Sequence, residues 1–132
     1  MAQGTLEQTL VIIKPDAHER GIVPEILDAL RDFDLSISSA KEMTPTLQQI
    51  QEHYAEHRGK EFFDGLCEFM TSGKCTVMVI SGPPGSGMIE KTRAVAKIIR
   101  TEYATSVRRN VIHSSDSLES AQREIALWIS SD

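Results

Sequence analysis

Leu10, Val11, Ile12 and Ile13 follow one another without a polar interruption, and Lys14-Pro15 ends the run. Successive apolar side chains, partly β-branched, leave the segment no polar face, and a proline cannot donate to a strand ladder. The run reads as a strand buried in the centre of a sheet, so the rest of the chain must supply that sheet's other strands and its cover. Leu35 and Ile37 alternate with Ser36 and Ser38, the pattern of a half-buried strand reaching to about Met43. Thr76 to Ile80 read as a third strand, and "NVIH", residues 110 to 113, as a brief fourth.

Between the strands the apolar period lengthens. Val23, Ile26, Leu27, Leu30 and Phe33 recur at helical spacing, with Pro24 tolerated in the first turn. "TPTLQQIQEHYAEH" starts on Thr44 or Thr46 as a cap and continues as a short helix. Phe62, Phe63, Leu66, Phe69 and Met70 form the apolar side of another helix, which Gly73 stops. Residues 88 to 103 are mostly helix-compatible. In "SSDSLESAQREIALWI" Asp116 and Glu119 stand at capping-box spacing, and Leu118, Ala121, Ile125 and Trp128 share a face. The order β-α-β-α-α-β-α-β-α fits the α+β class: a ferredoxin-like βαββαβ antiparallel sheet covered by helices, over one side.

At 132 residues the chain has the length of one domain. It is expected to span 9–132 behind a flexible extension over 1–8. A net charge of −5 argues against a general nucleic-acid coat protein, although a local basic cleft is compatible with it. No apolar run approaches membrane-spanning length, and the first residues carry no secretory pattern. Cys67 and Cys75 read as reduced cysteines. The expected location is cytoplasmic, with neither a membrane nor a specific nucleic acid as partner.

"CTVMVISGPPGSGMIEKT" imitates a phosphate-binding loop, with Gly82 and Gly87 at the required separation. Met88, however, stands where the lysine belongs, and Lys91-Thr92 come three residues late, which advances the ammonium by about 4.5 Å along the helix. No later apolar strand ending in Asp offers the second metal ligand. The stretch reads as a Pro-Gly turn leading a strand into a helix.

"RRNVIHSSDS" is more informative. His113 closes a strand just before a helix, whose N-terminal amides and dipole favour an anion beside the imidazole. A neutral imidazole is a competent phosphoryl acceptor near pH 7, though a histidine at a strand end can also be purely structural. Glu124 lies on the flank of the last helix's apolar stripe. An inward carboxylate needs a partner, and His113 is a natural one; Glu124 could instead bend to solvent or pair with a base such as Arg123. Lys14 follows a buried strand, where a ligand crevice often lies. Arg93 and Arg100, with Lys97 between them, are cations suited to a polyphosphate or simply a solvated helix face.

"TLVIIKPDAHERG", "EHYAEHRGKEFFDGLCEFMTSG" and "RRNVIHSSDSLESAQREIALWI" together resemble the nucleoside diphosphate kinase family from Thr9 to Trp128. N-x-x-H-x-S-D-S with I-K-P-D is a specific combination. The resemblance implies that His113 is phosphorylated in a ping-pong transfer of the γ-phosphate, and that Glu124 hydrogen-bonds it. It implies that Tyr54 lies near His113, that Lys14 and Asn110 contact sugar hydroxyls and phosphate, and that Phe62 and Val107 sandwich the base beside Leu66. Arg100 and Arg93 would hold phosphates, Ser115 and Asp116 would support the histidine, and Mg²⁺ would arrive on the nucleotide's phosphates rather than on a protein site. Members are built on dimers. This chain is about ten residues short between the phosphate arginines, which argues against a hexamer, leaves the family's phosphate-contacting threonine without a counterpart, and raises an alternative: a weak or inactive relative that senses nucleotide or docks a protein.

Overall fold

The computed structural model describes residues 7–106 and 109–129. Four strands, β1 (Glu7–Ile13), β2 (Ser36–Met43), β3 (Cys75–Gly82) and β4 (Ile112–Ser114), form one antiparallel sheet in the order β2-β3-β1-β4. Glu7 and Gln8 already belong to β1, paired with Gly82 and Ser81, so the sheet begins ahead of the expected start at Thr9.

The helices are α1 (Pro15–Arg20), α2 (Val23–Asp32), α3 (Leu47–His53), α4 (Phe63–Met70), α5 (Met88–Tyr103) and α6 (Leu118–Ile129), with a 3-10 turn at Ala55–His57. They cover both faces of the sheet, not one. Side chains alternate along β1, so Val11 and Ile13 pack with Ile26 and Leu30 of α2 and with Val95 and Ile99 of α5. Leu10 and Ile12 face the other way, onto Ile50 of α3, Met70 of α4 and Trp128 of α6. A strand that is apolar at every position needs both of these layers.

Helix α1 has no apolar stripe to announce it. Pro15 ends the strand and also opens this helix, because its fixed φ suits the first turn. Gly21 closes it at φ 69°, a conformation that costs glycine little. Thr46 caps α3 reciprocally: its hydroxyl accepts from the Gln49 N–H while the Gln49 side chain accepts from the Thr46 N–H. Replacing Thr46 by alanine should lower stability by about 1 kcal/mol in urea unfolding. Helix α4 ends earlier than Gly73, since the Thr71 hydroxyl donates to the Cys67 carbonyl and the Ser72 hydroxyl to that of Phe69. The cap of α6 is Ser117, whose hydroxyl accepts from the Ser120 N–H, in place of the expected Asp116–Glu119 pair.

The turn at 83–87 takes positive φ at Gly85 (75°) and Gly87 (73°), which accounts for its glycines. The anion at the start of α5 is internal: Glu7 Oε2 accepts the Ile89 N–H at 3.1 Å, and Lys91 points to solvent. The glycine-rich stretch therefore serves the chain path.

Candidate active site

Strand β4 enters its pairing with β1 through a tight turn. The Ile112 N–H donates to the Asn110 carbonyl at 2.8 Å, two residues back, which forces Val111 to φ 66°. For a β-branched residue that conformation is strained, on the order of 1–3 kcal/mol. Two bonds hold it: the Lys14 N–H donates to the Val111 carbonyl at 2.8 Å, and the Val111 N–H donates to Asp16 Oδ2 at 3.2 Å. His113 follows, opposite Ile12 of β1.

His113 is half-buried, and its Nε2 lies 2.9 Å from Glu124 Oε1. A carboxylate can only accept, so Nε2 carries the proton and the ring's lone pair sits on Nδ1. The same Glu124 oxygen accepts from the Ser115 hydroxyl at 2.7 Å, and Ser115 Oγ accepts the Leu10 N–H at 3.3 Å. Glu124 is 5% exposed. The buried face of α6 is Ala121, Glu124 and Trp128, while Leu118 turns outward, so the acid lies within the stripe, not beside it. Arg123 approaches the other Glu124 oxygen at 3.9 Å and ties α6 to α3 by donating to the carbonyls of Glu52 and His53.

Behind His113 stands His53, which the sequence did not single out. Their rings meet edge to face at 4.6 Å. Trp128 Nε1 donates to His53 Nδ1 at 3.0 Å, and burial, then His113 and Arg123, hold His53 well below the usual imidazole pKa. It is a neutral wedge on the buried side of α3 that packs one side of the His113 ring. His53, His113 and Glu124 place three metal-ligating groups within 4.8 Å, but they are already engaged with one another and with Trp128 and Ser115.

A cleft of about 850 Å³ opens beside His113. It is lined by the polar side chains of Lys14, Arg100 and Asn110 and by Phe62, Leu66 and Tyr54. Phe62 is 45% exposed and so leaves the apolar side of α4 for the cleft, with Lys60 Nζ 5.8 Å from its ring centroid. Tyr54 packs edge-on to His53 at 4.6 Å, and burial raises its hydroxyl pKa so that it stays a donor. Ser106 and Arg109 also line the cleft. Arg109 is steadied by Glu19 at 3.4 Å and by the Phe69 ring; its place in the "RRN" run beside Asn110 was the signal for it. Arg93 is not in the cleft. It borders an adjoining hollow with Lys97, Arg100, Ser114 and Asp116, and donates to the Asp116 carbonyl at 3.4 Å. Val107 lies outside the described residues.

Lys14 is 6% exposed and donates to Asn110 Oδ1 at 2.7 Å. Burial, and then the neighbouring Arg100, lower its pKa to about 8. Burial and then Arg93 lower that of Arg100. Among the described residues no acid forms an ion pair with Lys14, Arg93 or Arg100. Cations that crowd and repel one another, with no acid in ion-pair contact, favour an incoming anion.

A sequence model described as nucleoside diphosphate kinase matches residues 7–132. The nucleoside diphosphate kinase of Caldanaerobacter subterraneus is 41% identical over 130 residues, spanning 93% of this chain and 94% of that protein. That of Thermus thermophilus is 42% identical, spanning 93% and 95%. Among solved structures, the nucleoside diphosphate kinase of Aquifex aeolicus superposes with a TM-score of 0.81 at 36% identity, over 96% of this chain and 97% of that one. A nucleoside diphosphate kinase family protein from Babesia bovis reaches 0.84 at 33% identity, over 93% and 88%.

Proposed function

Because this chain belongs to the nucleoside diphosphate kinase family, and so moves a phosphoryl group from a nucleoside triphosphate to a nucleoside diphosphate, we propose that His113 carries that group between the two. The inactive docking relative is not favoured. The observation that carries the reading is the His113 Nε2–Glu124 bond at 2.9 Å, which leaves the Nδ1 lone pair for the substrate. That lone pair attacks the γ-phosphorus, an N–P bond forms, and the bond to the bridging oxygen breaks as the nucleoside diphosphate leaves. A second diphosphate then takes the group by the reverse path.

Lys14, Arg100 and the Tyr54 hydroxyl stabilise the charge on the moving phosphoryl group, and Arg93 extends this cationic line from the adjoining hollow. Asn110, held by Lys14, meets the sugar or its nearest phosphate. Phe62, with Leu66 beside it, stacks the base, and Val107 would complete the slot; stacking of this kind tolerates every common base. The described residues lining the cleft include no carboxylate, so Mg²⁺ fits as a passenger on the phosphates. Bound there it would offset the negative charge of the phosphates.

Incubation with γ-labelled ATP should put acid-labile label on the peptide containing His113, and GDP or CDP should discharge it. Label on another residue would overturn the assignment. Phosphates beside Lys14 will raise its pKa above the free value of about 8, so binding takes up a proton and affinity falls as pH rises through 8. Calorimetry near pH 8 in buffers of different ionisation enthalpy reads that uptake.

No helix among the described residues is long and apolar enough to cross a membrane. Cys67 and Cys75 are buried and unpaired, which supports a reducing, cytoplasmic setting. The edge strand β2 is largely exposed and leaves backbone groups available, which supports self-association into dimers. The turn at 83–87 followed directly by α5 leaves only six residues between Arg93 and Arg100, which argues against a hexamer.

A further inference from the structure

Asp16 is 1% exposed, yet no step above uses it. One of its oxygens, Oδ1, is buried with no hydrogen-bond partner among the described residues, and burial raises its pKa. The amides of Asp16 and Ala17 in the first turn of α1 also favour the carboxylate and partly offset that cost of burial. Its other oxygen does something specific. The segment Lys14-Pro15-Asp16 grips the strained turn three times: Lys14 N–H on the Val111 carbonyl, Lys14 Nζ on Asn110 Oδ1, and Asp16 Oδ2 under the Val111 N–H. Val111 sits between Asn110 and the strand that carries His113, so whatever sets its backbone sets the heading of both.

We propose that Asp16 is a positioning residue of the transfer reaction, whose carboxylate locks the Val111 amide in its left-handed conformation and thereby aims Asn110 and His113 into the cleft. The inference rests on the reading of His113 as the carrier. A second effect follows from where Asp16 lies. Lys14 is faced by Arg100 from α5, Cys75 from β3, His53 from α3, Asn110 from the turn and Asp16 from α1, and Asp16 is the acid in that set. It therefore also helps keep Lys14 charged.

Asp16→Ala and Asp16→Asn test this together. In the alanine variant, folded and assayed below its melting temperature, His113 phosphorylation should slow on the order of tenfold to a hundredfold, because a reacting group is misplaced. The Val111 amide should lose protection against hydrogen exchange. Asparagine still offers an acceptor to Val111, so it should recover most of both the rate and the protection. It lacks the charge, so its nucleotide binding should fail at lower pH than that of the unaltered protein. An alanine variant that labels at the normal rate, unchanged Val111 protection, or an asparagine variant as slow as alanine would overturn the proposal. The exchange measurement needs no nucleotide, so it judges Asp16 separately; absence of label in the unaltered protein would instead sink the reading of His113.

Discussion

A His113→Ala protein should form no phosphoenzyme with labelled ATP, and its turnover of ATP with a second nucleoside diphosphate should drop by at least about a thousandfold. The expectation is this large because no other group at the cleft can replace the ring. Lys14 and Arg100 are cations, Tyr54 keeps its proton, and His53 is 3% exposed with its Nδ1 already accepting from Trp128. The fold should tolerate the change, since His113 is half-buried and contributes no backbone bond that alanine lacks. Persistent label in the variant, at the same nucleotide concentrations, would remove His113 from the chemistry.

Glu124→Ala should cost on the order of a hundredfold or more in the rate of His113 phosphorylation. Two things are lost together. The Nε2 proton no longer has its acceptor, so the ring is free to adopt the tautomer in which Nδ1 bears hydrogen and cannot attack. The Ser115 hydroxyl also loses its acceptor in a fully buried place. Glu124→Gln separates geometry from charge. One amide oxygen can accept from both groups, as Oε1 does now, so glutamine should retain more activity than alanine and lose only what the negative charge adds. Equal rates in the two variants would show that holding the tautomer is not what Glu124 does.

The elements that could be read from the chain are those whose pattern reports burial directly. Leu10 to Ile13 is apolar at every position because β1 is covered on both faces, and residues 88–103, helix-compatible throughout most of their length, form α5. Helix α1 could not be read in this way, because its six residues include one proline and four polar side chains and it is held by its ends. Phe62 and Leu118 fit their apolar stripes by spacing yet face outward; spacing says which residues share a side, not where a helix leaves its neighbour. In the site, His113, Glu124, Lys14 and Arg100 announced themselves as charges or nucleophiles where such groups need a reason. His53 and Asp16 did not, since their importance lies in contacts between residues far apart in the chain, such as Trp128 with His53 or Asp16 with Val111.

The pairing of β4 with β1 covers only three residues, and it alternates: Ile112 enters the cluster shared with α2 and α5, while His113 looks to the opposite layer. Insertion or deletion of one residue between Asn110 and Ser114 would rotate the imidazole to the wrong layer and drive an isoleucine toward the acid. Changes of chain length are tolerable in this molecule at the glycine turn before α5, and they are intolerable along those five positions. The reactive segment thus keeps a length that allows no adjustment.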